Sequence, residues 1–142
     1  MPSIRPATTG DLAAIRGLLH SAGLPVEDVG PPTSIEFLVA AEDGVLVGTI
    51  GLERYGSSGL LRSLAVAPSR RGTGIGAALV TALERLATRS GIERLVLLTT
   101  SARGFFASRG YRVVERADVD PALQASHQFR ELCPASATCM QR

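Results

Sequence analysis

Apolar positions along this 142-residue chain follow two periods, and each period marks a kind of element. "SIRPAT" reads as a short opening strand. Leu12, Ile15, Leu18, Leu19 and Ala22 then recur at three- and four-residue intervals, which predicts a helix with one buried face. Thr8 with Asp11 three residues later makes a capping box ahead of it, and Gly23 is its natural stop. "LPVEDVGPP" is irregular, with room for one helical turn. "IEFLVAAEDGVLVGTIGLER" is two apolar, β-branched runs joined at Glu42-Asp43-Gly44, which predicts a hairpin. "YGSSG" is a second turn, and "LLRSLAVAP" a third strand ended by Pro68. Helical spacing returns from Gly72 to Ser90 through Ile75, Leu79, Leu83 and Leu86, with Gly91 after it. "ERLVLLTT" is almost wholly apolar, as a short strand buried on both faces would be. "SARGFFASRG" fits a two-turn helix closed by Gly110, and "YRVVER" another strand. Pro121 to Leu132 suits one more helix and "ATCMQR" a last strand. The order is β-α-(α)-β-β-β-α-β-α-β-(α)-β: a single α/β domain over residues 1–142 around a mixed sheet, without internal repeat or linker.

Composition narrows the function. With 45% apolar and 20% charged residues the chain can bury a proper core, so disorder is not expected. No apolar run approaches the ~20 residues of a membrane span, and "MPSIRPATTGDL" lacks the apolar stretch of a signal peptide, so a cytoplasmic protein is expected. Cys133 and Cys139 are too few for a disulfide framework and fit a reducing compartment. All fifteen basic residues are arginine. Without a lysine, a Walker-type nucleotide site is excluded. The arginines are scattered among few aromatic residues, which is not the footprint of a nucleic-acid binder. No metal cluster is expected.

The chemistry concentrates where the third strand hands over to the second long helix, in "LRSLAVAPSRRGTGIGAALV". Gly72, Gly74 and Gly76 allow backbone N–H groups to converge on an anion, and the helix N-terminus adds unpaired donors. Arg70 and Arg71 bring charge to the same spot, so a phosphate or pyrophosphate is the natural occupant. A dinucleotide loop would read G-x-G-x-x-G after a first strand, whereas this is G-x-G-x-G after a hairpin. A bland glycine-rich turn with solvated arginines is one reading, and a cradle for the pyrophosphate of coenzyme A is the other.

Arg71-Gly72-Thr73-Gly74-Ile75-Gly76 resembles the R/Q-x-x-G-x-G/A motif of the GNAT superfamily of N-acetyltransferases, and "LAVAPSRRG" resembles the strand and turn that precede it there. The resemblance covers nearly the whole chain. It implies a mixed, mostly antiparallel sheet with a splayed strand pair, helices on both faces, and acetyl-CoA as co-substrate. It further implies a bulge in the strand from Leu61 to Val66, separating it from Arg94 to Thr100. Main-chain groups of Leu64, Ala65 and Val66 would then meet the pantetheine arm, and an N–H at Leu64 would stabilise the oxyanion.

The acceptor amine must lose a proton, which calls for a general base acting directly or through water. Glu53, at the end of the hairpin strand, is the first candidate; His20 and His127 are weaker ones. Family members place a tyrosine as acid in A-x-x-F-Y-x-x-x-G-F. Here "ARGFFASRGY" puts Phe106 at that position, against the cofactor, and phenylalanine donates no proton. Thr100, Ser101, Tyr55 or water would substitute.

"GLERYGSSGLLRSLAV" and the tail "FRELCPASATCM" resemble arsenic-resistance N-acetyltransferases of the ArsN type, and the tail is also similar to amino-acid N-acetyltransferases. The implied acceptor is the α-amine of a glutamate-like molecule: arsinothricin, with phosphinothricin as a poorer substrate. Glutamate itself, in a metabolic acetyltransferase, is the alternative, and a non-catalytic acyl-CoA sensor the second. Arginine's fork suits a carboxylate or arsinate, which makes Arg54 and Arg62 substrate-binding candidates beside Tyr55 and Ser63, and the family resemblance implies that the loop "LPVEDV" completes the pocket. Cys133 and Cys139 fit packing better than an arsenic site. A tail strand paired across two copies would make a homodimer.

Overall fold

Seven strands form one sheet in the order β1-β2-β3-β4-β5-β7-β6. The structure, a computed structural model, describes residues 2–30, 34–126, 129 and 136–142. The strands are β1 (Ser3–Pro6), β2 (Glu36–Glu42), β3 (Val45–Tyr55), β4 (Ser58–Val66), β5 (Arg94–Thr99), β6 (Arg112–Val113) and β7 (Thr138–Gln141). The helices are α1 (Leu12–Ser21), α2 (Ile75–Arg89), α3 (Arg103–Ala107) and α4 (Pro121–Gln124). All neighbouring strands run antiparallel except β4 and β5. The α/β class, the mixed sheet and the chain order of its elements are those expected.

Local chemistry explains the turns. The β2–β3 hairpin closes on Asp43 and Gly44, both at positive φ (52° and 78°), the geometry whose twist matches that of the flanking strands. Ahead of α1, the Asp11 carboxylate accepts the Thr8 N–H at 2.7 Å, and Gly23 ends the helix in the left-handed region.

Side chains alternate across the sheet. Ile50, Leu52 and Leu61 face α2, packing with Ile75, Leu79, Val80 and Leu83. Phe37, Val39 and Ala65 face α1, with Ile15 and Leu19. Leu60, Val96 and Leu123 form a third cluster on the α4 side. Apart from Ala65, each of these side chains contributes about 1.5–3 kcal/mol by leaving water. Strand β5 is buried on both faces as its apolar run predicts, with Leu95 and Leu97 toward α2 and Val96 toward α4.

The final strand β7 is the last strand expected, and it inserts between β5 and β6. Two segments differ from expectation. "LPVEDVGPP" contains no helix among its described residues. The helix expected over Pro121 to Leu132 is α-helical over Pro121–Gln124, interrupted at Ala125 and Ser126, and π-helical at Phe129; the rest of that stretch, His127 included, lies outside the described residues, as does Cys133. No helix among the described residues is long and apolar enough to cross a membrane.

Candidate active site

The pairing of β3 with β4 slips by one residue: Thr49 opposes Ala65, but Gly51 opposes Arg62. The extra residue sits in β4, where Ser63 takes φ 58°, a left-handed conformation uncommon for a side chain with a Cβ. Along the same stretch β4 has no strand partner on its other side among the described residues. Its parallel pairing with β5 covers only Ser58 to Leu60, opposite Arg94 to Val96. From Leu61 and Leu97 onward the two strands diverge.

That divergence opens a cavity of about 410 Å³. Leu61 to Leu64 and Leu97 to Ser101 form its strand walls, Leu24, Pro25 and Glu27 close it on the α1 side, and Phe106 closes it on the α3 side. A larger hollow of about 680 Å³ lies by the β1–β2 edge, between Leu12, Phe37 and Leu86, and shares no lining residue with the bulge or the glycine loop.

Strand β4 runs directly into the glycine loop. After a short 3-10 turn at Pro68–Arg70, Gly72 and Gly74 hold φ 78° and 89°, and Gly74 is the residue from which α2 starts. A Cβ at either glycine would meet nothing within 4 Å, so their backbone faces open space. Ala78 donates to Gly74 O, while the amides from Gly72 to Ala77 find no main-chain acceptor among the described residues. This row of donors at the positive end of a 15-residue helix suits an anion. Gly76 is an ordinary helical residue, where an added Cβ would meet Val66 Cγ2 at 3.8 Å. Thr73 is turned back, its hydroxyl donating to Arg70 O at 2.5 Å.

The two loop arginines differ. Arg70, expected to supply charge to the loop, is ion-paired with Glu42 of β2. Arg71 is exposed, and among the described residues it makes only a long contact, 3.4 Å, with Val66 O. Arg71 is therefore the loop cation available to an incoming anion.

On the α1 and α4 side of the sheet stands a charged cluster. Arg62 is 3% exposed. Its Nη2 donates to Asp28 Oδ1 at 2.6 Å, its Nη1 to the other Asp28 oxygen and to Glu53 Oε1 at 2.8 Å, and its Nε to Ser63 Oγ at 3.0 Å. Burial works against its charge, but the hydrogen bonds to Asp28 and Glu53 outweigh that and raise its pKa. Tyr55 donates to Glu53 Oε2 at 2.8 Å. Its hydroxyl is pushed up to about 12, first by burial and then by the hydrogen bond and charge of Glu53.

The expected substrate residues are thus rearranged. Arg62 lines the cavity, yet its guanidinium is engaged by two carboxylates and Ser63. Tyr55 and Ser63 are partners within the same cluster. Arg54 points to the opposite face of β3, toward the Gly91 turn after α2, because strand alternation sends Glu53 and Tyr55 one way and Arg54 the other. Ser101 and Thr100 line the cavity from the turn before α3. Thr99 instead caps that helix, accepting from Ala102 N at 2.9 Å. Phe106 is buried edge-on between Phe105 and Tyr111, at ring distances of 5.0 and 5.3 Å. The Tyr111 hydroxyl donates to Glu84 on α2, at 3.0 Å, and is committed there. His20 sits exposed near the end of α1 and does not line the cavity. Cys139 is buried in β7, its thiol raised by burial, as a packing residue would be. Asp28 was not singled out by sequence reasoning; the family resemblance offered its loop, "LPVEDV", as a pocket wall but named no residue in it.

Comparison with known proteins gives a consistent picture. An amino-acid acetyltransferase of Pasteurella multocida (strain Pm70) is 30% identical over 136 residues, 90% of this chain and 31% of that protein. One of Ralstonia nicotianae (strain ATCC BAA-1114 / GMI1000) is 36% identical over 120 residues, 76% of this chain and 26% of its own length. The chain spans under a third of these relatives. Among solved structures, N-acetylglutamate synthase from Neisseria gonorrhoeae, complexed with coenzyme A and N-acetyl-glutamate, matches at TM-score 0.83 and 24% identity, over 100% of this chain and 35% of that one. Rv2747 from Mycobacterium tuberculosis, in complex with CoA, matches at TM-score 0.82 and 24% identity over 99% of this chain and 98% of that one. The family described as acetyltransferase (GNAT) domain matches residues 33–113, from the first hairpin through the bulged strand and glycine loop to β6. That is more than half of the sequence, and the chain belongs to the GNAT acetyltransferase family.

Proposed function

We propose that this chain transfers the acetyl group of acetyl-CoA to the α-amine of a small, glutamate-like amino acid. The observation that carries the reading is the 410 Å³ cavity between bulged β4 and β5, sized for a small acceptor and walled by the strand that continues into the glycine loop. Acetyl-CoA would lay its pyrophosphate on the amides from Gly72 to Ala77 and on Arg71, with its pantetheine along Leu64, Ala65 and Val66. The amine lone pair attacks the acetyl carbon, and the carbonyl π pair moves to oxygen, where the Leu64 N–H receives it. One such donor is worth roughly 10²–10³ in rate. Collapse of the intermediate breaks the C–S bond and expels the CoA thiolate.

The proton leaving the nitrogen goes to Glu53 through water, because Arg62 rather than Glu53 is on the cavity wall. The thiolate takes its proton from water or from Ser101, since Phe106 has none to give. Within this class the finer reading is arsinothricin, supported by the ArsN-like stretches; acetylation would remove the ammonium by which such a mimic is recognised. Glutamate is the second reading, favoured by the amino-acid acetyltransferases among the relatives. The test is thiol release from acetyl-CoA with arsinothricin, phosphinothricin, glutamate and a short peptide offered separately. Release with arsinothricin alone supports the resistance reading, and release with glutamate alone supports the metabolic one. Acetyl-CoA binding without release in any arm refutes transfer to a glutamate-like amine and leaves another acceptor or a sensor.

A further inference from the structure

The Asp28 carboxylate is 6% exposed, lies in an irregular loop outside the strands and helices of the site, and binds Arg62 through both oxygens. Arg62 spends its remaining Nη1 bond on Glu53. Asp28 belongs to the segment that walls the cavity with Leu24, Pro25 and Glu27. The same segment is tied a second time, where Arg16 of α1 donates to Val29 O at 2.6 Å. The wall facing the acceptor and the carboxylate proposed as base are therefore joined through one guanidinium.

We propose that Asp28 is a positioning residue for acetyl transfer: by clamping Arg62 it fixes both the acceptor-side wall and the orientation of the Glu53 carboxylate. The physical basis is geometric. A guanidinium held by two parallel N–H···O bonds has one orientation, and its third carboxylate contact is then directed rather than diffuse. Loss of the clamp lets Arg62 swing toward Glu53 alone, carrying the carboxylate with it. Tyr55 holds the other Glu53 oxygen at 2.8 Å but makes no contact that would fix Arg62. A misplacement of about 1 Å in such a group costs up to about 10²-fold in rate.

This inference rests on Glu53 serving as the base, so the experiment separates the two. Asp28→Asn, Glu53→Gln and the double variant are assayed by thiol release with whichever amine of the panel turns over, alongside acetyl-CoA affinity by calorimetry. Asp28→Asn is expected to lower kcat by roughly 10- to 100-fold with acetyl-CoA affinity unchanged. In the Glu53→Gln background the same change should cost nothing further, because the two act through one contact. Asp28→Glu should recover part of the loss. Equal losses in both backgrounds would reduce Asp28 to a structural residue and overturn the proposal. An unchanged Glu53→Gln enzyme would instead sink the base assignment. A crystal structure of Asp28→Asn needs no acceptor at all: Arg62 and Glu53 found undisplaced there would also overturn the proposal.

Discussion

Arg62→Met separates a ligand-binding arginine from one that holds the fold together. The wild-type side chain is 1% exposed and neutralises Asp28 at 6% and Glu53 at 16% exposure. A methionine fills much the same space but leaves both carboxylates without their counter-charge. Breaking a buried pair by removing one partner costs about 3–5 kcal/mol, because the charge left behind has lost both water and partner. Against a total stability of about 5–15 kcal/mol, that is a large fraction. For 142 residues the entropy of unfolding near the midpoint is about 0.3 kcal/mol/K, so Tm should fall by about 10–17 °C. Urea denaturation monitored by circular dichroism measures the change directly, provided the slope of the transition is unchanged. The companion variant Arg62→Met/Asp28→Leu removes the more buried of the two stranded charges and should recover part of the loss. An Arg62→Met protein within about 1 kcal/mol of wild type would refute the reasoning, since surface arginines are lost at that scale. So would a double variant no more stable than the single one.

The remaining expectations are simpler. Gly72→Ala and Gly74→Ala each force a Cβ into the left-handed region, at about 1–2 kcal/mol of strain, and should weaken acetyl-CoA binding in calorimetry while Gly76→Ala changes it less. Gly59→Ala puts a Cβ 2.9 Å from Leu52 Cδ1, 3.1 Å from Ile92 Cδ1 and 3.2 Å from Leu95 Cδ2, at the base of the splayed pair, and should destabilise the fold by about 1–3 kcal/mol in the same denaturation assay. The chain has two tyrosines, and both hydroxyls are raised above the ordinary value, Tyr55 to about 12. The folded state thus retains protons that the unfolded chain releases, so stability is full below about pH 10 and declines as pH rises toward 12. Tyrosinate absorbance at 295 nm in a Tyr111→Phe variant should appear only well above pH 10; release with a midpoint near 10 in the folded protein would contradict it.

Much of this fold was legible because its signals are local. The Asp43-Gly44 turn, the stop at Gly23, the doubly buried β5 and the left-handed glycines before α2 each follow from a few adjacent residues. What was not legible depends on distant pairings. No periodicity reveals that β7 enters between β5 and β6, because "ATCMQR" carries no record of its neighbours. The same holds within the site. Period-two alternation predicts that Arg54 and Glu53 face opposite ways, but it does not say which face holds the cavity. Arg62 looked like a substrate cation because a sequence cannot display the two carboxylates that enclose it, one of them 34 positions away. Arg70 is absorbed likewise by Glu42, 28 positions distant. What the sequence hides therefore concerns charges rather than glycines. A glycine's conformation is decided by its neighbours along the chain, a charge's availability by its neighbours in space.

The single inserted residue in β4 ties these observations together. Without it, β4 would keep its ladder with β3 in register through Val66 and could stay beside β5 along its length. The left-handed Ser63 instead increases the local twist, so β4 turns away from β5 after Leu60 and the space between them becomes the cavity. The same residue offers its hydroxyl to Arg62 Nε, which helps aim the guanidinium at Asp28 and Glu53. Main-chain groups released on the β5 side face the cavity, while the side chain of Arg62 anchors the charged cluster behind it. A residue in strained backbone is retained only where its surroundings hold it, and here three hydrogen-bonded side chains from three segments do so. Ser63→Gly would relieve the backbone strain and remove the Nε partner, two effects that oppose each other. Ser63→Ala keeps the strain and loses only the hydroxyl, so it should be the less stable of the two in denaturant. If Ser63→Ala proves as stable as Ser63→Gly, the bulge is not held in the conformation argued here.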